Sequence, residues 1–460
     1  MSDKKRESLG SRLGFILLTA GCAIGLGNIW RFPYVVGQNG GACFVAFYLF
    51  FLAVMGLPLM VMELSVGRAS KRTLYGAAKV LPHSHPERWQ IPAGIFCAGS
   101  GVLMIFYTTV TGWMLCYTLD YIFGGISTLN TEAIGQHFGE LTASPWKNVV
   151  FMIVTVIAGS VVCGAGLKNG VERVTKVLMS GLFILLLVLC CRSLFLPGAK
   201  EGLKFYLMPN LNAVRETGLS EVVAAAMGQA FFTLSLGVGA ITICGSYIKP
   251  EHSLLKESLI IILLDTAVAV LAGIVIFPVC MTYGIDVSSG PGLVFVSLPD
   301  VFNHMIWPRL WGATFFLFMS VAAFTTVVTV FESLIAIMID ELHYSRSKAS
   351  LLNGIVIAVL SLPCALGFNL LSGIHPLGGE STFLDLEDYL VSDILLPLGS
   401  VFVVIFCGVS AGWGWKDFFA EANTGKGMKL PLWTRYYLFT LLPLAIVALF
   451  VIGTIKRWWP

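Results

Sequence analysis

The sequence predicts an all-α polytopic membrane protein of about eleven helices, arranged as an inverted 5+5 repeat in which helices one and six are broken. Three observations carry this. First, with 57% hydrophobic and 12% charged residues and a mean hydropathy of +0.84, the 460 residues cannot clothe a water-soluble surface. Second, the apolar runs reach about 20 residues or more, as a ~30 Å hydrocarbon core requires of a helix, whereas barrel strands read as ~10-residue alternating segments. Third, the first and sixth runs are interrupted at mid-span by glycine, amide and hydroxyl residues.

Taken in order, the apolar runs fall near 13–36, 42–66, 93–123, 148–165, 172–196, 222–247, 258–283, 310–339, 350–371, 388–413 and 434–455, each bounded by polar breaks. The first is entered from Lys4, Lys5, Arg6 and Arg12 with no small-residue cleavage site before it, so an uncleaved first span is expected. Spans one to five and the outer segment Gly124–Trp146 make a first unit, 1–220. Spans six to ten make a second, 221–415, and the eleventh span with the C-terminus makes 416–460. With the N-terminus cytoplasmic, most of the 29 Lys and Arg collect on the inner side. The odd count then puts Lys456 and Arg457 outside, beside the interfacial pair Trp458 and Trp459.

The breaks carry the function. "GCAIGLGNIW", residues 21–30, places Gly21, Gly25 and Gly27 ahead of Asn28, each glycine lowering helix propensity by roughly 1 kcal/mol relative to Ala. Unwound backbone at membrane depth persists only where it lines a cavity or is buried in protein, because its freed N–H and C=O groups need partners. A packed glycine-rich helix is the other reading of this stretch alone. "GQAFFTLSLGVGAI", Gly228–Ile241, repeats the glycine spacing with Gly237 and Gly239. Five spans precede it and five begin with it, so the two breaks open two halves, the pointer to an inverted-repeat secondary transporter. Half-helix N-termini suit an anionic end of a substrate, and free carbonyls suit a hard cation.

Other chemistries lack their machinery in the sequence. There is no G-x-x-x-x-G-K-[ST] loop for nucleotide hydrolysis and no H-E-x-x-H pair among the seven His. "GVSAG", Gly408–Gly412, matches the nucleophile-elbow pattern but reads as part of span ten, where small residues let helices pack. A channel would need a selectivity ring, and an enzyme a catalytic constellation. All eleven Cys fall in apolar spans, and the chain has no N-x-S/T acceptor, so a bacterial plasma membrane is expected, with the lipid bilayer as surroundings and no nucleic-acid partner.

The segments "NIWRFPY", "NGG", "GLPLMVMELSVGR", "GQAFFTLSLGVGA" and "FLDLEDYLVSDILLPLG" resemble the neurotransmitter:sodium symporter family, especially its bacterial amino-acid transporters of the leucine-transporter type, over nearly the whole chain. The resemblance implies sodium-driven symport of a substrate by alternating access. It implies one sodium held by Asn28, Thr233, Asp265 and the Ala23 carbonyl, with the substrate carboxylate completing the shell. It implies a second held by the carbonyls of Gly21, Ile24 and Ala322 and the hydroxyls of Thr325 and Thr326. Oxygen-only ligation is what a hard cation needs. Read alone, Thr325 and Thr326 would equally serve by bonding back to carbonyls of their own helix.

The same resemblance lines the substrate site with Ala23, Gly25, Gly27, Leu103, Tyr107, Phe232, Thr233, Ser235, Val238 and Val330. It makes Tyr107 and Phe232 a lid below an outer gate of Arg31 and Asp388, and pairs Arg6 with Asp340 near Tyr247 at an inner gate. Gly25 stands where the monoamine branch carries Asp, so a neutral α-amino acid is expected. Val238 and Val330 are smaller than their counterparts, which favours hydrophobic or aromatic side chains, although Leu103 is larger and acts against them. Tyr48, Gln229 and Thr233 match part of a chloride site of animal members, but Asp265 and Ala269 stand in place of Asn and Ser, so chloride is not expected to be required. Glu63 and Glu332 are expected to make buried structural hydrogen bonds.

Overall fold

A computed structural model describes residues 7–285 and 292–458. Among the described residues the chain is helical, with one isolated bridge between His252 and Lys426 and no strand. Among the described residues, nine helices are long and apolar enough to cross a membrane: Ala42–Ser70, Pro86–Phe123, Pro145–Gly164, Leu167–Leu194, Leu254–Tyr283, Pro308–Leu342, Arg346–Leu366, Phe383–Gly408 and Thr434–Ile452. A tenth span is the pair Arg12–Ala23 and Gly27–Gln38, bent by 54° at its break. The remaining expected span, the sixth, consists of Leu219–Thr233 and Ala240–Tyr247, two halves separated by unwound chain at 234–239 and each too short to cross alone.

Several helices begin before the apolar run does, because their first turn is polar. Ser144, Ser253 and Ser345 cap spans four, seven and nine by accepting from Lys147, Lys256 and Lys348 amides. Thr382 and Asp385 form a reciprocal capping box that starts span ten at Phe383 rather than near 388. Span nine ends at Leu366, short of the expected 371. The helix of span ten ends at Gly408, so "GVSAG" is not within the span as the sequence implied but forms the turn that follows it.

Burial sorts the helices by depth. In spans three and eight, 61% and 78% of the most apolar window is buried inside the protein, so these form the interior. Spans four and five, at 33%, and eleven, at 18%, leave most of theirs to lipid. The inner half of span six lies backbone to backbone on span two: a Cβ at Gly67 would sit 1.8 Å from the Thr242 carbonyl oxygen, so only glycine fits there.

Candidate functional site

Both breaks face each other at mid-span, and their freed backbone groups are taken up by named side chains. In span one, Ile24 leaves the helix at ψ 102°, the Gly25 amide donates to Asn28 Oδ1 at 3.2 Å, and the Leu26 amide donates to Tyr107 Oη at 3.0 Å. In span six, Ser235, Gly237 and Gly239 have φ of 51°, 94° and 81°, a left-handed region that suits the two glycines and strains the serine. The Gly237 amide donates to Glu63 Oε1 at 2.5 Å, Ser100 Oγ to the Val238 carbonyl at 2.9 Å, and Gln229 Nε2 to the Gly27 carbonyl at 2.9 Å. Glu63 also accepts from Thr242 Oγ1 at 3.0 Å, so this buried carboxyl braces the break of span six. These backbone groups freed by the breaks are thereby satisfied within the protein.

Between the breaks lies a cavity lined by Cys22, Ala23, Gly25, Gly27, Leu103, Tyr107, Phe232, Ser235, Thr326 and Leu396. Cys22, Thr326 and Leu396 were not expected there, while Thr233, Val238 and Val330, which were, are buried and not part of its lining. Glycine shapes the cradle. A Cβ at Gly25 would lie 2.3 Å from Tyr107 Oη and 2.7 Å from Thr326 Oγ1, and one at Gly27 would lie 2.9 Å from the Phe232 ring.

Two clusters of oxygen ligands flank the cavity. In one, Asn28 Nδ2 donates to Asp265 Oδ1 at 2.8 Å and to the Asp265 carbonyl at 3.1 Å, while Thr233 Oγ1 lies 3.2 and 3.4 Å from the two carboxyl oxygens. In the other, Thr326 Oγ1 reaches across to the carbonyls of Gly21 at 3.2 Å and Ile24 at 3.4 Å, and Thr325 Oγ1 bonds Ala322 of its own helix at 2.8 Å. One threonine thus faces span one while its neighbour bonds the Ala322 carbonyl of its own helix, which places that carbonyl and both hydroxyls in one group. Ala23 lines the cavity beside both clusters.

On the outer side, Phe232 covers Gly27, and the Arg31 guanidinium carbon stands 4.1 Å from the Phe232 ring centroid, a cation–π contact. Arg31 and Asp388, expected to face each other as an outer gate, make no ion pair among the described residues: Asp388 accepts from Ser392 Oγ one turn along its own helix, at 2.7 Å. On the inner side, Arg6 lies outside the described residues, and Asp340 occupies the inner end of span eight. Tyr247 Oη donates to Glu332 Oε1 at 2.7 Å, and Glu332 is gripped by Arg346 at 2.7 and 3.0 Å. Arg346 also holds Glu7 at 3.1 Å, and Glu7 accepts from the Leu167 amide at 3.1 Å. Glu172 accepts from the Gly10 amide at 2.6 Å and from Ser11 Oγ at 3.0 Å, and Arg12 pairs with Glu257 at 2.8 Å. The segment before span one is therefore fastened to spans five, seven and nine by residues the sequence reading passed over. Glu332 is in a buried ion pair, more than the structural hydrogen bond expected of it.

The pattern of the Sodium:neurotransmitter symporter family matches residues 6–128 and 128–458. The chain is 33% identical over 453 residues, 98% of each chain, to an uncharacterized sodium-dependent transporter, YhdH, of Bacillus subtilis (strain 168). It is 26% identical to the Homo sapiens sodium- and chloride-dependent GABA transporter 2, over 98% of this chain and 80% of that one. Among solved structures it resembles MhsT in complex with L-phenylalanine, with a TM-score of 0.87 and 36% identity over 97% of this chain and 99% of that one.

Proposed function

The chain belongs to the Sodium:neurotransmitter symporter family, and on that premise we propose that it imports a neutral, hydrophobic or aromatic α-amino acid with sodium by alternating access. Membership makes it a sodium-dependent transporter and a multi-pass membrane protein, not an enzyme. The observation that carries the finer reading is the cavity between the breaks, polar at Gly25, Gly27 and the Tyr107 hydroxyl and apolar at Leu103, Phe232 and Leu396. A zwitterion with an apolar side chain matches that polarity. The L-phenylalanine of the similar MhsT structure supports it.

In this reading the substrate carboxylate lies against the glycine break and Tyr107 and completes the Asn28–Thr233–Asp265 cluster around one sodium, so that each ligand raises the affinity of the other. A second sodium takes the carbonyls of Gly21, Ile24 and Ala322 with the hydroxyls of Thr325 and Thr326, joining span one to span eight. Phe232 with Arg31 closes the outer side, and Asp388 receives Arg31 when the gate rearranges. The Glu7–Arg346–Glu332–Tyr247 chain and the Glu172 and Glu257 contacts close the inner side, and they part when it opens. The units 1–220 and 221–415 act as inverted repeats, 416–460 is appended, and the N-terminus is cytoplasmic in a bacterial plasma membrane. Asp265 supplies the negative charge that chloride supplies elsewhere, so chloride is not required.

An amine-type solute is the second reading, favoured by relatives named as GABA and serotonin transporters. Gly25 weighs against the monoamines, since it offers no carboxylate to an amine that lacks one of its own. Uptake by protein reconstituted in liposomes, driven by an inward sodium gradient and competed by a panel of amino acids and monoamines, separates the two. Competition by a monoamine and by no amino acid overturns the proposal, and equal or tighter binding of Gly than of Leu or Phe overturns the size preference.

A further inference from the structure

Tyr107, Leu103 and Gly99 recur at intervals of four on one face of span three, a stripe that descends about 6 Å per step from the polar end of the cavity. Tyr107 and Leu103 line the cavity, and Gly99 lies one turn beyond. A Cβ at Gly99 would meet Val238 Cγ1 at 3.1 Å, Leu395 Cδ1 at 3.2 Å and Leu395 Cβ at 3.4 Å. Two apolar side chains, one from the unwound segment of span six and one from span ten, therefore rest directly on bare backbone.

The backbones around this floor have little room to shift. Ser100 Oγ holds the Val238 carbonyl at 2.9 Å. Span ten is pressed on the break of span six so closely that a Cβ at Gly399 would sit 2.0 Å from the Gly237 carbonyl oxygen. Leu396, next to Leu395, forms part of the cavity wall itself. With the main chain held on both sides, the side chains of Val238 and Leu395 pack on position 99, which has no Cβ, and neither lines the cavity itself.

We propose that Gly99, acting through Val238 and Leu395, is a specificity-determining position: it sets the depth of the subsite for the side chain of the transported amino acid, with span ten as one wall. The inference rests on the amino-acid reading above. A methyl group at position 99 lifts the floor toward Leu103 and Leu396, which excludes long side chains while leaving room for short ones. Removing Leu395 beyond its Cβ lowers the floor again.

The test is sodium-dependent binding of alanine, valine, leucine, phenylalanine and tryptophan to purified full-length protein, read as ligand-induced thermal stabilisation over a concentration series. The wild type is compared with Gly99→Ala, Leu395→Ala and the double variant. Gly99→Ala is expected to weaken phenylalanine and tryptophan at least tenfold relative to alanine, and the double variant to recover most of that loss. Leu395→Ala alone is expected to shift preference toward tryptophan, an arm that stands even where Gly99→Ala fails to fold. A phenylalanine-to-alanine affinity ratio unchanged in Gly99→Ala and Leu395→Ala overturns the role of Gly99 while leaving the amino-acid reading intact. Wild-type protein that binds none of the five overturns that reading and the inference with it.

Discussion

The Asn28 side-chain amide lies 2.8 Å from Asp265 Oδ1 and 3.1 Å from the Asp265 main-chain carbonyl, so the break of span one and the middle of span seven share one polar contact in the membrane interior. Both residues are fully buried. Asn28 donates to the Asp265 carboxyl and the Thr233 hydroxyl lies 3.2 Å from it, contacts that suit an ionised carboxylate. A chloride ion at ~4 Å from such a charge would be repelled by about 4 kcal/mol at an effective dielectric of 20. Uptake into proteoliposomes is therefore expected to survive replacement of chloride by gluconate, while Asp265→Asn with Ala269→Ser is expected to make it chloride-dependent. A large loss of wild-type uptake in gluconate rules out Asp265 as the internal substitute.

Thr326 differs from its neighbour in bonding across to span one. Its hydroxyl touches two carbonyls that the break has released, Gly21 and Ile24, and its Oγ1 also borders the cavity. Thr326→Val keeps the shape and removes the oxygen, leaving those carbonyls short of a partner at about 1–3 kcal/mol. Sodium affinity in transport titrations is expected to fall about tenfold or more, since tenfold corresponds to 1.4 kcal/mol. Thr326→Ser is expected to stay within a few-fold of wild type, and Thr325→Val, whose hydroxyl bonds its own helix, shows whether both threonines are needed. An unchanged sodium titration in Thr326→Val removes this residue from the ion site.

Arg346 and Glu332 make the only ion pair among the described residues in which a fully buried carboxylate is held by an arginine through both its oxygens. Arg346→Ala strands that carboxylate beside Tyr247, and breaking a buried pair typically costs about 3–5 kcal/mol. A marked drop in melting temperature of the detergent-solubilised protein is expected, together with faster thiol labelling of a cysteine introduced at Leu9, because Glu7 loses its anchor too. Glu332→Gln in the Arg346→Ala background is expected to recover part of the stability, since it removes the stranded charge. A melting temperature that stays put in Arg346→Ala shows that water already satisfies Glu332.

What the sequence made legible was whatever departs from an apolar helix. Gly25, Gly27 and Asn28 stand out in a membrane span because nothing in a continuous helix calls for them, and Ser235, Gly237 and Gly239 stand out likewise; both breaks are found where they were read. Asp265 and Thr326 are polar residues in apolar runs, and the resemblance linked each to its partners. Leu396 and Gly99 gave no such signal, because a leucine or glycine in an apolar span is equally at home against lipid, a neighbouring helix or a ligand. The inner fastening was hidden differently. Glu7, Glu172, Glu257 and Arg346 sit at span ends, where charged residues are the rule, and only the fold shows that they meet.

Gly25 sits where the cavity and both oxygen clusters meet. A methyl group there would stand 2.3 Å from Tyr107 Oη, far inside contact distance, and the tyrosine must swing away and release the Leu26 amide. The Asn28–Asp265 contact does not use Tyr107, although Asn28 Oδ1 accepts from the Gly25 amide itself. Gly25→Ala is therefore expected to weaken amino-acid binding at least a hundredfold, about 2.7 kcal/mol, and also to lower ligand-free sodium-induced stabilisation, because the same methyl lies 2.7 Å from Thr326 Oγ1. Tyr107→Phe removes one obstructing oxygen but leaves Thr326 Oγ1 in place and the Leu26 amide without its acceptor, so the double variant is expected to regain only part of the lost melting temperature, and no amino-acid affinity on the proposal that this hydroxyl meets the carboxylate. Binding titrations on the single and double variants check both halves. Full recovery of amino-acid affinity in the double variant shows that Tyr107 only fills space and that the carboxylate is met by the backbone of the break alone.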